Sequence, residues 1–506
     1  MRAHLAHLGV RLLALRDQRP TSPAAMRAAQ DAERTRLLRR LAGTALGRRF
    51  ALADLAGRSV EAFRAAIAPT TYADYADELA RCARGEADVL FPGRPVALAQ
   101  TSGTTSTAHA GERFIPQGRD LLRHHRAGAS AAFARLGLAV GPDLLRGSSL
   151  MLGGSTALAP NAHGVPVGDL SGIVVDQIPG WLQRFYEPGR DIALESDWER
   201  KIARIVARCA SRPIACVSGI PSWMLVLFDA LCRARGASRL AEVWPGLRGV
   251  IHGGHAIQPV LPMLRHHLAP GTRLIEVYPA SEGFLAVGAR AWRIEEDAPP
   301  PLAALCAHGI YLEFLPEDGG DAIGAEGLED GRVYRVLMTT AGGLLRYQVG
   351  DLVRGCGPGL LRVAGRIKTR ISVFGEHVEG DRLDAALAAA AATQDLRVAH
   401  YHVAPVLPTP EQPRGRHEWW IELAGGAGDA AALAAALDAW LRANVIDYDA
   451  HRAGDTQLLA PSVVLVPPGT FHAALAAKGK LGGQHKVPQA WGDRTFADLL
   501  DRSRPA

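Results

Sequence analysis

The sequence has no run of about 18 consecutive apolar residues, close to the length that a helix needs to cross a bilayer. Its six cysteines are scattered without a Cys-x-x-Cys pair, so they indicate neither a disulfide framework nor a zinc site. The N-terminal residues mix apolar and basic types and show no clear small-residue cleavage site. We therefore expect a cytoplasmic protein with reduced cysteines and no membrane contact.

The basic residues form no cluster either. The formal net charge is +6, and the arginines that supply most of the basic residues are dispersed along the chain. Nucleic-acid-binding proteins usually concentrate such charge on one stripe, with aromatic residues between the basic ones. We therefore expect no nucleic-acid partner, and a mildly basic enzyme that handles anionic substrates fits this charge equally well.

The composition is that of a globular protein, with 48% hydrophobic and 21% charged residues. A chain of 506 residues is too long for one simple core, so we expect two domains. Between residues 140 and 375, short apolar segments such as Leu247–Ile251 and Arg273–Tyr278 alternate with helical patterns such as Pro221–Arg233. This alternation predicts an α/β fold with strands covered on both faces and ligands at the turns that follow the strands.

The pattern changes after Arg366. Two alanine-rich helical segments, Asp381–Ala392 and Asp429–Ala443, enclose the strand-like segments Val398–Val406 and Glu418–Leu423. This is enough material for an independent α+β domain. We place the boundary so that residues 1–365 form a large N-terminal domain and residues 366–506 a small C-terminal domain.

A hydroxyl-rich loop follows the strand-like residues Val96–Gln100. It reads Thr101-Ser102-Gly103-Thr104-Thr105-Ser106. Small residues let a backbone approach a polyanion, and successive N–H groups can form an anion-binding nest. Such a loop can grip nucleotide phosphates, although clusters of serine, threonine and glycine are also ordinary turn material.

Two further segments end apolar strands with polar groups. In Glu276–Gly283, Tyr278 can stack on a purine, Ser281 can bond a phosphate oxygen and Glu282 can hold Mg²⁺. In Leu345–Asp351, a carboxylate at a strand-to-turn junction can accept hydrogen bonds from both hydroxyls of a ribose. Each segment alone fits an ordinary turn at the end of a strand equally well.

The segment Gly365–Glu376 lies at the expected domain junction. Hinges lie at the ends of elements, where few contacts cross, and a charged residue there can exchange partners as domains rotate. We therefore expect a hinge at Gly365 to Lys368.

In this order the four segments resemble those of the adenylate-forming enzymes. They are most similar to the auxin-responsive acyl-acid amido synthetase (Gretchen Hagen) family in its bacterial form. The similarity also includes Val217–Met224, Ile251–Gly254 and Lys478–Pro488, and it extends over about residues 22–488. The resemblance implies a large α/β domain that binds ATP and the acyl acid, and a smaller mobile α+β domain.

The resemblance also implies a two-step reaction. ATP and a carboxylic acid first form an acyl-adenylate and pyrophosphate, and an amine, usually that of an amino acid, then attacks the activated carbonyl. The partners would be a small carboxylic acid and an amine, with a monomer or weak oligomer as the working form. The alternatives are an acyl-CoA ligase, an adenylation enzyme that loads a carrier protein, and a nucleotide-binding regulator without catalysis.

The resemblance assigns site residues by their positions in these motifs. The expected ATP- and AMP-binding residues are Thr101, Ser102, Gly103, Thr104, Thr105, Gly253, Gly254, Tyr278, Ser281, Glu282, Asp351 and Arg366, with Glu282 also placing Mg²⁺. The expected acyl-substrate residues are Trp223, Met224 and His252.

The chemistry also asks for a lysine. A carboxylate that attacks a phosphate brings two anions together, so the transition state needs metal and ammonium charge in a dry site. Lys486 is our candidate for the catalytic lysine and Lys480 is the alternative. The base that takes the proton from the amine stays open among His252, His255 and His485.

Two departures from the family pattern bear on the site. The connection after Ser106 is longer than usual, and Arg113 stands where a lysine is common. Gln489 follows Pro488 where the family usually has arginine. These departures put the phosphate geometry and the attachment of the C-terminal loop in question.

Overall fold

The computed structural model describes residues 8–12, 14–15, 19–100, 113–153, 158–178, 180–183, 185–254, 257–366, 371, 376, 378–407, 412, 414–452, 458–478 and 487–504. Within these ranges, no helix is long and apolar enough to cross a membrane. All six cysteines are free, and five of them are buried, in agreement with the sequence-based expectation.

The strands belong to three sheets. In chain order they are β1 (Ala97–Gln100), β2 (Phe114–Gln117), β3 (Ser148–Met151), β4 (Ala159–Pro160), β5 (Pro166–Gly168), β6 (Tyr186–Glu187), β7 (Ile214–Gly219), β8 (Gly249–Gly253), β9 (Arg273–Ala280), β10 (Gly283–Gly288), β11 (Trp292–Arg293), β12 (Leu302–Ala304), β13 (Ile310–Pro316), β14 (Val333–Thr340), β15 (Tyr347–Gly355), β16 (Leu360–Arg366), β17 (Val398–Val406), β18 (Arg416–Leu423) and β19 (Ser462–Val466).

The helices pack around these sheets. They are α1 (Pro23–Leu41), α2 (Ala45–Arg49), α3 (Leu52–Leu55), α4 (Val60–Ala66), α5 (Ala76–Ala83), α6 (Arg119–Val140), α7 (Leu170–Asp176), α8 (Gly180–Gln183), α9 (Arg190–Ala193), α10 (Trp198–Cys209), α11 (Pro221–Arg235), α12 (Leu240–Val243), α13 (Leu261–His267), α14 (Gly380–Ala392), α15 (Ala430–Asn444), α16 (Ile446–Arg452), α17 (Thr470–Ala477) and α18 (Thr495–Arg502).

The large sheet has two halves of different topology. Its strand order is β13-β14-β15-β16-β12-β10-β9-β8-β7-β3-β6, with β11 paired to β9. Strands β6, β3, β7, β8 and β9 are parallel, and apolar residues of α6 cover one face while those of α10, α11 and α13 cover the other. Here the predicted α/β alternation is confirmed.

The alternation does not extend beyond β9, although the sequence pattern suggested that it would. From β9 to β16 the main-sheet pairs are antiparallel. Ala280 and Gly283 are paired, so two residues join β9 to β10, and a crossover helix cannot fit in so short a connection. The core of this half forms against the N-terminal helices α1 to α5.

A small sheet of order β2-β1-β5-β4 lies beside the large one. The outer pair of β1 and β2 is antiparallel, with Ala97 opposite Gln117 and Gln100 opposite Phe114, whereas β1 and β5 are parallel. Gln100, the last described residue before the hydroxyl-rich loop, is therefore paired with Phe114, at the start of the strand that follows the loop. Thr101 to Thr105 themselves lie outside the described residues.

The C-terminal residues build a sheet of order β17-β18-β19 with a core of its own. Side chains alternate between the two faces of a strand, so Trp419 packs with α14 and α15 while Trp420 packs with α17 and α18. All four predicted elements of this region appear within two residues of their expected bounds. The domain boundary at residue 366 stays a prediction, and it coincides with the end of β16.

Candidate functional site

Tyr278 and Asp351, from the second and third motifs, meet in the structure. The hydroxyl of Tyr278 donates to Oδ2 of Asp351 at 2.6 Å. Three strands separate β9 from β15 in the sheet order, so the antiparallel half must curl to close this distance. Two motifs that are 73 residues apart in the chain therefore form one site.

The local backbone around Asp351 differs from the expected turn. Asp351 lies inside β15, where Gly350 has a φ of +84° and the pairing with β14 is irregular. Glycine adopts this left-handed conformation without the steric cost that a β-carbon imposes. The result is a bulge within a strand, a feature that re-aims side chains, rather than a turn at its end.

Besides its bond to Asp351, Tyr278 packs its ring into the protein core. Only 8% of the residue is exposed, and its ring belongs to the core between the antiparallel strands and the N-terminal helices. Stacking of this ring on adenine stays a prediction. The structure does record the hydroxyl bond, which restrains the orientation of the Asp351 carboxylate.

Ser281 and Glu282 form the two-residue turn between β9 and β10, and both are half-buried. The backbone oxygen of Ser281 accepts a hydrogen bond from Nε2 of Gln117, at the end of β2, at 2.9 Å. The turn of the second motif is thereby attached to the strand that follows the hydroxyl-rich loop.

Glu282 acts electrostatically on two tyrosines, Tyr347 and Tyr72. Burial raises the pKa of Tyr347, and the carboxylate of Glu282 raises it further. The same two influences act on the pKa of Tyr72, whose ring lies 5.1 Å from the guanidinium of Arg113. Glu282 therefore lies near the third motif and near the first described residue after the hydroxyl-rich loop.

Two buried residues that the sequence reasoning missed support this turn. His125 is 3% exposed and Gln117 is fully buried, and a hydrogen bond with the backbone of Ser281 acts on the pKa of His125. Burial and the neighbouring His124 lower the pKa of His125 to about 3, so its ring is neutral. The adjacent His124-His125 pair, shortly after the loop, is the only signal that the sequence offers.

His124 holds the other side of the turn. Its Nε2 accepts from the backbone N–H of Phe284 at 2.8 Å, so Nδ1 carries the proton and donates to the oxygen of His308 at 2.6 Å. Burial lowers the pKa of His124 to about 4, which keeps the ring in the neutral form that this pair of bonds requires.

Gly253 ends β8 beside the site, and Gly254 follows it. Gly253 pairs with Val277, and a β-carbon at Gly253 would overlap the carbonyl oxygen of Val277. Gly254 has a φ of +95°. Close approach of the neighbouring strand is thus sufficient reason for glycine at 253, whether or not a nucleotide also approaches here.

The three expected acyl-substrate residues differ in exposure. Met224 is fully buried in the core of the parallel half, and His252 is buried with its ring edge on Trp292. Trp223 is half-buried and lies 4.6 Å from the ring of Trp198. The structure therefore leaves only Trp223 with substantial surface.

The expected hinge begins next to Asp351. Arg366 is the register partner of Asp351, and Gly365, opposite Leu352, has a φ of +127°. The backbone of Arg366 is described but its side chain is not, and Lys368, Lys480 and Lys486 lie outside the described residues. Among the described residues, no group of three or more histidine, cysteine, aspartate or glutamate side chains could hold a metal ion.

Comparison with protein families finds three matches in chain order. The GH3 family N-terminal domain matches residues 24–201, the GH3 family central domain residues 303–358 and the GH3 family C-terminal domain residues 381–495. Together they account for more than half of the chain.

Characterised relatives match over shorter stretches. The indole-3-acetic acid-amido synthetase GH3.8 of Oryza sativa subsp. indica is 27% identical over 288 residues, which cover 52% of this chain and 47% of that protein. The jasmonoyl–L-amino acid synthetase JAR6 of Nicotiana attenuata is 28% identical over 128 residues, which cover 23% and 21%. The chain thus spans less than half the length of these two relatives.

Solved structures match over nearly the whole chain. The acyl acid amido synthetase AtGH3.15 in complex with 2,4-DB has a TM-score of 0.75 at 17% identity, and the alignment covers 95% of this chain and 94% of that one. A 2-hydroxyisobutyryl-CoA ligase in complex with R3-HIB-AMP has a TM-score of 0.57 at 14% identity and covers 94% and 91%. The fold is therefore that of the adenylate-forming enzymes, and with three domain models matched in order the chain belongs to the GH3 family.

Proposed function

We propose that the protein is an ATP-dependent acyl-acid amido synthetase. It would convert a small carboxylic acid into an acyl-adenylate and transfer the acyl group to the amine of an amino acid. The observation that carries the proposal is the 2.6 Å bond between Tyr278 and Asp351, because it unites two nucleotide-site motifs in a chain of this family. The relatives named as amido synthetases support the same reaction.

Asp351 would bind the ribose. A carboxylate accepts hydrogen bonds from two neighbouring hydroxyls, and the bond from Tyr278 limits its rotation before ATP arrives. Gly253 and Gly254 would bring the backbone close to the adenine, and Arg366 would approach the nucleotide from the start of the hinge. The residues Thr101 to Thr105 would hold the phosphates.

Glu282 fits a magnesium site that the substrate completes. Mg²⁺ usually takes one or two protein carboxylates and fills its other positions with water and substrate phosphates. Glu282 on the turn, with Ser281 beside it, supplies such a donor set. When bound, the ion would neutralise phosphate charge.

The first half-reaction needs a cation that the second half-reaction does not. Lys486, or Lys480 in its place, would supply an ammonium group as the carboxylate attacks the α-phosphate. The small domain would then turn about Gly365 to Lys368 and admit the amine. Gly365 has a positive φ and lies at an irregularity in the pairing of β15 with β16, one residue before β16 ends, and this conformation supports the proposed hinge.

The test offers the purified protein ATP, Mg²⁺ and a panel of carboxylic acids, each with amino acids or with CoA, and identifies products by mass spectrometry. We expect an amide, AMP and pyrophosphate. A thioester without any amide would make the protein an acyl-CoA ligase. ATP binding without AMP formation for any acid would favour a regulator without catalysis.

A further inference from the structure

A short segment of the N-terminal region, residues 70–75, packs beside the strand that carries the third motif. The N–H of Thr70 donates to the oxygen of Arg346 at 3.0 Å, and the oxygen of Thr70 accepts from the N–H of Gln348 at 2.9 Å. The hydroxyl of Thr70 donates to the oxygen of Leu345 at 2.7 Å. Backbone and side-chain bonds together therefore fix this segment at the start of β15.

The segment continues as a 3₁₀-helix, Tyr72–Tyr75, whose first turn is fixed by local hydrogen bonds. Oδ2 of Asp74 accepts from the backbone N–H of Thr71 at 2.7 Å and from its hydroxyl at 2.9 Å. Because these bonds favour the ionised carboxylate, they lower the pKa of Asp74. Tyr72, the first residue of the turn, is thus restrained from both sides.

Tyr72 extends from this turn to the start of β2. Its hydroxyl accepts from the N–H of Phe114 and donates to the oxygen of the same residue, both at 3.3 Å. Its ring centroid lies 5.1 Å from Cζ of Arg113, within the range of a cation–π contact. The ring is half-buried against the core of the N-terminal helices. One tyrosine therefore holds the side chain of Arg113 and the backbone of Phe114.

Arg113 and Glu282 act on the same two phenols. Burial raises the pKa of Tyr347 and the carboxylate of Glu282 raises it further, whereas the guanidinium of Arg113 lowers it. Burial also raises the pKa of Tyr72, the bond to Phe114 and the charge of Arg113 oppose this rise, and Glu282 adds to it. The cation and the proposed magnesium ligand therefore lie close to the same pair of hydroxyls.

We propose that Tyr72 is a positioning residue that presents the guanidinium of Arg113 to the terminal phosphates of ATP, beside Glu282. An arginine side chain has many rotamers, and contact with a fixed ring reduces the entropy lost when the nucleotide binds. The planar guanidinium can then donate two parallel hydrogen bonds to a phosphate. The inference rests on the proposed function in one respect, that the site binds ATP.

The described contacts divide the nucleotide between two groups of residues. Tyr278 and Asp351 would bind the ribose, which ATP and AMP share. Arg113 acts on the same hydroxyls as Glu282, where Mg²⁺ and the phosphates of ATP would lie. A cation gains more Coulomb energy from a triphosphate than from a monophosphate. AMP is therefore the matched ligand that lacks the phosphates assigned to Arg113.

Calorimetric titration with ATP and with AMP, each in the presence of Mg²⁺, tests the role of the ring. Tyr72→Leu removes the ring, Tyr72→Phe keeps it, and Arg113→Met removes the cation. Phe50→Leu is the matched control, because Phe50 is also half-buried against the same core and its ring lies 4.8 Å from Cζ of Arg49. Thermal unfolding identifies a temperature at which all variants are folded.

We expect Tyr72→Leu to bind ATP about five- to tenfold more weakly and AMP within about twofold of the wild type. Tyr72→Phe and Phe50→Leu should bind both nucleotides within about threefold of the wild type, because neither removes the ring that holds Arg113. Equal ATP affinity for Tyr72→Leu and the wild type would overturn the proposal. Equal losses for ATP and AMP would also overturn it, since they would indicate a general disturbance of the site.

A double-variant cycle determines whether the ring acts through the arginine. We expect Arg113→Met to bind ATP at least about tenfold more weakly, and the addition of Tyr72→Leu should then cause no further loss. A further loss of full size would contradict the positioning role. None of these measurements needs turnover. The expected affinities without any acid-dependent reaction would contradict the synthetase activity alone, whereas amide formation with unchanged affinities would contradict this inference alone.

Discussion

Two carboxylates are buried in this protein in opposite ways. Glu313, in the large sheet, is 1% exposed and accepts from Nε of Arg64 at 2.7 Å and from Nε of Arg346 at 2.9 Å. Asp384, in the C-terminal domain, meets only a hydroxyl, an amide and another carboxylate among the described residues. Two arginines compensate the charge of Glu313. Asp384 has no such cation in the described part of the chain, and burial raises its pKa to about 7.

The cluster around Glu313 and the cluster around Asp384 also connect different parts of the protein. Arg346 also donates to the backbone oxygens of Arg64 and Ile67, so the charged cluster ties α4 to β13 and to the start of β15. It fixes the part of the sheet that carries Asp351. The cluster around Asp384 instead connects α14 with Tyr401 of β17 and with Gln489 near the C-terminal end of the described chain.

The largest effect is expected when one of the two arginines that pair with Glu313 is replaced. Arg346→Met leaves a buried carboxylate with a single partner, and we expect the free energy of unfolding to fall by about 3–5 kcal/mol. The comparison change Arg332→Met breaks the pairs of this arginine with two exposed carboxylates, Asp318 and Glu329, and should cost less than about 1 kcal/mol. Urea unfolding measures both, and equal losses would contradict the distinction.

A pH series tests the other carboxylate. Because its folded pKa is raised from 3.8 to about 7, Asp384 contributes stability that is present below about pH 4 and is lost as the pH rises to about 7. Asp384→Asn cannot titrate. We expect the stability of the wild type relative to this variant to fall over that window by at most about 4 kcal/mol.

Asp438 provides the control for this series within the same domain. Burial acts to raise its pKa, but hydrogen bonds from Arg452 and Tyr448 bring the pKa below its usual value. Its contribution to stability is lost as the pH falls, so Asp438→Asn should give a flat difference between pH 4 and 7. If the stability difference between wild type and variant changed equally with pH for Asp384→Asn and Asp438→Asn, the two carboxylates would not differ as described.

The smallest expected effect concerns the hydroxyl that holds Asp351. Tyr278→Phe removes the bond without changing the ring, and we expect ATP to bind about five- to tenfold more weakly, as for the loss of about 1 kcal/mol. Tyr448→Phe removes a similar bond, to Asp438 at 2.8 Å, outside the proposed site. Calorimetric titration with ATP compares them, and equal affinities would remove Tyr278 from the site.

Local signals in the sequence predicted much of this molecule. The alanine-rich segments and their neighbouring strands in the C-terminal domain are close to α14, β17, β18 and α15, because alternation and helix propensity are local properties. The positions of Tyr278 within β9 and of Ser281-Glu282 in the following turn were also predictable for this reason.

Non-local pairing was not predictable in the same way. The curl that joins Tyr278 to Asp351 depends on which strands pair, and neither segment carries that information. The bulge at Gly350 converts an expected turn into strand. Gln489 departs from the arginine usual in the family, and only the structure reveals its partner, a carboxylate from 105 residues earlier in the chain.

The most direct test of the proposed reaction follows an oxygen atom. With an acid and amine pair identified by the product screen, the carboxylic acid is labelled with heavy oxygen and the AMP is analysed by mass spectrometry. An acyl-adenylate route predicts that one labelled oxygen of the carboxylate appears in the phosphate of AMP. AMP without label, or label released in inorganic phosphate together with ADP, would contradict adenylation as the first step.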